Sequence, residues 1–379
     1  MKKLTYITDL DRKPGGGGSY AVNWHIQQQL GKHFELHTPA PIFPVASFWE
    51  KSLSRLQRHL LHKPSRFFYF SPKTLDSNAT RAAECFGENA DAVFFRSATR
   101  WCHCRPEIPY FIYLDIVFHT FFENTFNPKD FLAADLGRIY QSEARFLEGA
   151  SAVFFESKWG LRKAREAYSL AGEHYVVAGR GGALEPPLED RWTGKPLIIL
   201  SIAMNFEQKG GDIIFKAFEQ LRIRHPDLRW HIVGGRPNGN WEAVDGIFYE
   251  GLLDPENSAD LARYCHLLSQ AFLLVHPTRE DTNPLVLTEA AYFGCPTISV
   301  NRFAIPELVL DGKTGLLLDW PVNVNQLTDV IHRLIESPEL YREMRKAAFE
   351  FSRSECSWNQ IGNRMAGVIG GLLEQRGKH

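Results

Sequence analysis

Short apolar runs recur along the chain. Each is followed by a polar loop and then by a segment of helical spacing. Residues 4–8 form the first run. The loop over 9–18 ends in Gly15-Gly16-Gly17-Gly18, and Ser19 can cap a helix carrying Ala21, Val22, Trp24, Ile26 and Leu30. Runs at 34–37, 90–95, 110–114, 152–155 and 175–178 predict further strands, and 130–148 predicts a long helix. The polar, proline-bearing stretch 185–195 reads as a linker. The alternation then resumes, with strands expected at 197–202, 230–233, 246–251, 272–275, 297–300 and 315–318. Helices are expected over 213–224 and 260–269, from Pro306, and from 324 onward with a break at Ser357-Trp358. Two such alternations predict an α/β protein of two doubly wound, Rossmann-like domains, 1–185 and 195–357. A cleft lined by strand ends of both is where a ligand is expected.

Composition narrows the classes. A chain of 379 residues, 44% hydrophobic and 23% charged, is in the globular range. The net charge of −1 gives no ground for a nucleic-acid partner. The six cysteines are scattered, and Cys102-His103-Cys104 is too tight for the usual zinc spacing, so no metal site is expected. No apolar run is long enough to span a bilayer, and the polar start is too short for a signal peptide, so a cytoplasmic protein is expected.

Residues 51–75 contain no acid. They carry Lys51, Arg55, Arg58, Lys63, Arg66 and Lys73, with Leu53, Leu56, Leu60 and Leu61 at helical spacing beside Phe67-Phe68-Tyr69-Phe70. Two readings stand: a solvated helix packed on its domain, or a peripheral contact with the anionic inner face of a membrane.

Chemistry concentrates after the strand at 272–275. His276-Pro277-Thr278-Arg279-Glu280-Asp281-Thr282-Asn283 is a polar loop, and Pro284 suits the first turn of a helix reaching about Phe293, before Gly294-Cys295-Pro296. A helix start attracts an anion. Asp281 and Glu289 flank it, and carboxylates suit sugar hydroxyls rather than phosphate. The plain alternative is an ordinary α/β unit with two solvated acids. Lys209-Gly210-Gly211-Asp212 follows the strand at 197–202. Lys209 supplies a point charge, and Gly210 lets a phosphate approach. Neighbouring loops can bring Lys209 and Asn283-Pro284-Leu285 around one diphosphate and neutralise it as it departs. In the first half, Asp115 and His119 lie beyond a strand end, where ligands bind in open sheets; a capping Asp and a packed His are the alternative.

The chain resembles retaining family 4 glycosyltransferases of GT-B fold. The resemblance rests on Thr278 to Val286 with Glu289-Ala290, the Lys209-Gly210-Gly211-Asp212 loop, Val233-Gly234-Gly235, Gly294-Cys295-Pro296, Ile305-Pro306-Glu307 and Asp311-Gly312-Lys313-Thr314-Gly315. It is thinner in the first half, through the glycine run, Tyr113-Leu114-Asp115 and Ser157-Lys158-Trp159. It implies a nucleotide-diphosphate sugar donor, UDP- or GDP-linked, on the second domain, and a glycan, lipid-linked or small-molecule acceptor on the first. It also implies metal-independent transfer with retention and no cofactor, in bacterial surface polysaccharide or glycoconjugate synthesis. A crossover helix, 358–379, is expected to pack back on the first domain.

By the same resemblance Lys209 binds diphosphate, Glu289 ribose and Asp281 or neighbouring Glu280 the donor sugar. Gly210, Thr282, Asn283, Pro284 and Leu285 line the donor, and Gly16 and Gly17 approach the phosphates. The sequence departs from the pattern in two places. The first acid is Asp281 where the family has Glu, and Ala203-Met204-Asn205-Phe206 stands where a basic residue usually precedes the Lys-Gly pair. Arg180 or Arg279 could supply the missing charge. A sugar-nucleotide epimerase or phosphorylase on the same fold, and a non-catalytic binding or scaffold relative, are the rival readings.

Overall fold

Strands buried on both faces need continuous apolar runs, and parallel pairing follows when helices cover both faces. Both conditions are met in two separate sheets. The computed structural model describes residues 1–11, 18–45, 48–60, 63–87, 89–239 and 241–376. These fall into two compact units: Met1–Lys13, Asn23–Arg180 and Ile361–His379 in the first, and Pro14–Val22 with Gly181–Gln360 in the second.

The first sheet contains β1 (Lys3–Ile7), β2 (Glu35–His37), β3 (Ala92–Arg96), β4 (Tyr110–Leu114), β5 (Ala152–Phe155) and β6 (Tyr175–Val177). All pair in parallel, in the order β2-β1-β3-β4-β5-β6. Its helices are α1 (Ser19–Gly31), α2 (Phe48–His59), α3 (Pro72–Ala83), α4 (Phe118–Thr125), α5 (Ala133–Glu148) and α6 (Lys158–Tyr168). Ser71 caps α3 through Thr74 N, and Ser157 caps α6 through Gly160 N at 2.9 Å. Helix α3 was not foreseen. The long helix expected from 130 starts at Ala133, after a short 3-10 turn at Pro128–Asp130.

The second sheet contains β7 (Ile198–Ala203), β8 (Arg229–Gly234), β9 (Ile247–Gly251), β10 (Leu273–His276), β11 (Thr297–Val300) and β12 (Gly315–Leu318). The order β12-β11-β10-β7-β8-β9 is all parallel. Counting from β7, it is a doubly wound order, three strands wound one way and three the other. Between them run α7 (Gly211–Arg224), α8 (Ser258–Gln270), α9 (Leu285–Tyr292) and α10 (Ile305–Leu308), followed by α11 (Val324–Glu336), α12 (Pro338–Glu355) and α13 (Trp358–Arg376). Helix α13 begins among residues of the second unit, and from Ile361 its residues belong to the first. One boundary is corrected: Pro284 is the N-cap of α9 with extended backbone (φ −71, ψ 124), not its first turn, and the helix ends at Tyr292. No helix among the described residues is long and apolar enough to cross a membrane.

Beside the first sheet, Phe67 packs within 5.0–6.0 Å of Phe70, Phe118, Phe122, Phe126 and Phe131. This cluster joins the segment after α2 to α4. Phe67→Ala should therefore cost about 3 kcal/mol, as for other buried Phe truncations, measured by denaturant unfolding. A loss below ~1 kcal/mol would show that the cluster does not anchor this face.

Candidate active site

In a doubly wound sheet the ligand crevice lies beyond the carboxyl ends of the strands where the winding reverses. In the second unit that point lies between β7 and β10, which are hydrogen-bonded neighbours. The loop after β7 carries Lys209, and the loop after β10 carries Asp281. The Lys209 Nζ lies 2.6 Å from Asp281 Oδ2, and both groups are part-buried.

Several contacts hold the loops this close. Gly210 has φ +77, and a Cβ there would collide with the Pro277 carbonyl oxygen. Glycine is needed for both the backbone angle and the space. Arg279 N donates to Gln208 O at 2.9 Å, and its guanidinium reaches Asp212 Oδ2 at 2.9 Å and also the Glu207 carbonyl. Arg279 is thus tied into the loop pair, not poised as a substitute cation. Thr278 Oγ1 accepts from Asp281 N at 3.2 Å, and Thr282 O accepts from Ala304 N at 3.0 Å, fixing the β10 loop from both ends.

Burial pushes the Asp281 carboxyl up, but His276 and Lys209 outweigh it and hold the group well below the usual carboxylate range. The His276 ring nitrogen is 3.8 Å from Asp281 Oδ2, beyond hydrogen-bonding distance, so Lys209 is the closer partner. Burial also lowers the pKa of His276. Next to Asp281, Glu280 is exposed. Asn283 and Pro284 are buried, and Leu285 opens α9.

Glu289 has different partners from those expected. Its side chain is buried; Oε1 accepts from Ala183 N at 2.9 Å and Oε2 from Tyr264 OH at 2.6 Å. It therefore pins the 181–184 segment, with Tyr292 OH taking the Gly182 amide at 3.0 Å and the Trp358 indole donating to Gly182 O at 2.8 Å.

Asp115 and His119 belong to the first unit. Asp115 follows β4 and is half-buried. His119 sits in the first turn of α4, its Nδ1 3.4 Å from Glu123 Oε2 and its ring 4.8 Å from that of Tyr140. Gly16 and Gly17 lie outside the described residues. A cluster not foreseen lies at the ends of this sheet's strands. Glu156 receives Arg96 on Oε1 and Arg180 on Oε2, each at 3.3 Å, and all three are buried. Each residue stands just at or beyond a strand end in the sequence, which was the available signal. Arg180 is accordingly engaged within the first unit.

A doubly wound unit with a lysine and a carboxylate at its winding reversal defines a Rossmann-like ligand-binding protein. Residues 189–351 match the family of glycosyl transferases group 1. The GDP-mannose-dependent alpha-(1-6)-phosphatidylinositol monomannoside mannosyltransferase of Mycolicibacterium smegmatis is 28% identical over 193 residues, covering 47% of this chain and 49% of that protein. The D-inositol 3-phosphate glycosyltransferase of Thermobifida fusca is 25% identical over 190 residues, covering 47% and 43%. The match thus spans about half the length of these curated relatives. Among solved structures, sucrose-phosphate synthase from Thermosynechococcus elongatus superposes with a TM-score of 0.66 at 16% identity, covering 99% of this chain and all of that one. Anabaena HepE, solved in complex with UDP, gives 0.65 at 17% identity, covering 98% and 100%. The fold is GT-B, and residues 189–351 are similar to the glycosyl transferases of group 1.

The Lys209–Asp281 pair has a consequence for stability. A carboxyl whose pKa is lowered by folding contributes stability above its unfolded pKa, about 4, and loses it as the pH falls through the folded value. Lys209→Met removes the Lys209 part of that lowering and leaves the His276 part in place. The wild type should therefore exceed the variant in unfolding free energy by more at pH 7 than at pH 3, measured in urea. An equal gap at both pH values would mean the pair does not set the Asp281 pKa.

Proposed function

We propose that the chain transfers a sugar from a nucleotide-diphosphate sugar, UDP- or GDP-linked, to a glycan, lipid-linked or small-molecule acceptor. Transfer proceeds with retention and without a metal, in bacterial surface polysaccharide or glycoconjugate synthesis. The observation that carries this reading is the Lys209–Asp281 contact at the winding reversal, beside the start of α9. In the reaction the C1–O bond to the diphosphate breaks and a bond from the acceptor oxygen to C1 forms on the same face. The leaving phosphate oxygen takes the acceptor proton. Donor entry splits the ion pair: the diphosphate takes the Lys209 ammonium, and a donor-sugar hydroxyl donates to Asp281. Glu289 exchanges the Tyr264 hydroxyl for those of ribose. Asp115 and His119 serve the acceptor side, and Gly16 and Gly17 the phosphates.

Removing a preorganised group that stabilises developing charge costs roughly 10²–10³ in rate. Lys209→Ala and Asp281→Asn should each lose about that much transfer activity, and exposed Glu280→Gln far less, scored against a panel of sugar nucleotides. Wild-type rates in both loop variants would defeat the site. Product formed from the donor with no acceptor present would indicate an epimerase. No calorimetric signal with any sugar nucleotide would indicate a scaffold.

We also propose that α2 places the chain at the anionic inner face of a membrane, which suits a lipid-linked acceptor. The helix faces the wrong way for a solvated one. Trp49, Leu53, Leu56 and Leu60 recur on one side and are 80%, 55%, 44% and 71% exposed. Its polar side faces the unit: Glu50 accepts from Ser71 Oγ at 3.0 Å, and Ser54 and Ser65 hydroxyls meet at 2.8 Å. The same stretch carries Lys51, Arg55, Lys63 and Arg66, and no acid intervenes from 51 to 75. Apolar insertion edged by basic residues fits an anionic lipid surface. The protein should float with phosphatidylglycerol vesicles but not with phosphatidylcholine vesicles, weakly at high salt, and Leu53→Gln with Leu56→Gln should abolish this. Two outcomes would overturn the proposal: absence of flotation, or a wild-type dimer that the double variant dissolves.

A further inference from the structure

The strongest unassigned cluster lies at the far end of α7 from Lys209. Helix α7 has 14 residues, so its two ends are about 21 Å apart at 1.5 Å per residue. His225 follows its last turn, and His332 and Glu336 stand one turn apart in the last part of α11. The His225 Nε2 and His332 Nδ1 are 2.9 Å apart. One ring nitrogen from each histidine and a Glu336 carboxylate oxygen all lie within 4.8 Å of one another.

The helices run in the same direction. Gln220 Nε2 donates to Asn325 Oδ1 at 3.3 Å, Thr328 Oγ1 donates to Gln220 Oε1 at 2.8 Å, and five residues beyond Gln220, His225 meets His332. Numbers rise together on both sides, so both carboxyl ends point to the cluster. Each carries the negative end of a helix dipole, which favours a cation. Two imidazole nitrogens at 2.9 Å can share only one proton, so at least one ring presents a lone pair there. Neighbouring Arg224 and Arg333 are exposed to solvent.

We propose that His225, His332 and Glu336 form a binding site for a borderline divalent cation of the zinc, cobalt or nickel type, which clamps the end of α7 to the end of α11. The donor set is two nitrogens and one oxygen, leaving a coordination position for water. Zinc–nitrogen bonds of about 2.0–2.1 Å require the two rings to part slightly from hydrogen-bonding distance, a shift that side-chain rotation supplies. The site is remote from Lys209 and takes no part in sugar transfer, so its test is independent of that reading.

The test uses tag-free, chelator-treated protein of the full chain. Cobalt(II) is titrated while the visible absorption is followed, zinc(II) is used in competition, and thermal unfolding is measured with and without zinc. The wild type should bind one equivalent, and zinc should raise the unfolding midpoint by a few degrees. Loss of a supporting group alone commonly weakens a metal site about tenfold or more, so His332→Ala and Glu336→Gln should each weaken zinc binding at least that much and remove the thermal gain. The chain has 14 histidines, so binding by both variants at wild-type strength would place the ion elsewhere and overturn the proposal. So would an absence of saturable binding by the wild type. Glu336 is exposed at a helix end, so its variant decides the matter should His332→Ala fail to fold.

Discussion

Two loops from adjacent parallel strands meet at Gly210, where the backbone passes too close to the Pro277 carbonyl for any side chain. That approach is the constraint on which the second unit's site depends. The loops belong to opposite windings of the sheet, so no local sequence contact joins them. Gly210 lets them close, and Arg279, bridging to Asp212 and to the 207–208 backbone, fastens them. Only with both in place can a lysine from one loop reach a carboxylate on the other.

The resting charge arrangement follows from this geometry. Lys209 and Asp281 neutralise each other at short range. Arg279 and Asp212 do the same a few residues away. Met204, in the loop after β7, is exposed and adds no charge. In the proposed reaction a donor diphosphate has to compete with Asp281 for the Lys209 ammonium.

Much of this was legible in the sequence because strand ends in a doubly wound fold carry the chemistry, and the apolar runs mark those ends. Lys209, Asp281 and Glu289 were all located that way. What was not legible is strand order, which no local pattern encodes. The neighbours β7 and β10 lie 70 residues apart, and only the expectation of one shared diphosphate brought their loops together in advance. The same gap hid Glu289's bonds to Ala183 and Tyr264, and the Arg96–Glu156–Arg180 cluster, whose members come from the ends of three different strands. Pro284 shows a finer limit. Proline fits both the N-cap and the first turn, and its extended ψ of 124, a backbone property, decides between them.

Helix α2 shows a limit of another kind. Period 3.6 in the sequence reports that a helix has an apolar side, not which side meets the protein. In α11 the apolar positions Leu327, Ile331 and Leu334 are buried, and the ordinary assumption holds. In α2 the same kind of spacing points outward, because small and polar groups claim the inner side. Ser54 fits against Ser65 where a leucine would not, and Glu50 is held by Ser71. Turning the helix over would break both contacts. The apolar side therefore stays out as a consequence of what the inner side has already bonded. In this chain, then, buried hydrogen bonds on one side of a helix fix the character of the surface on the other.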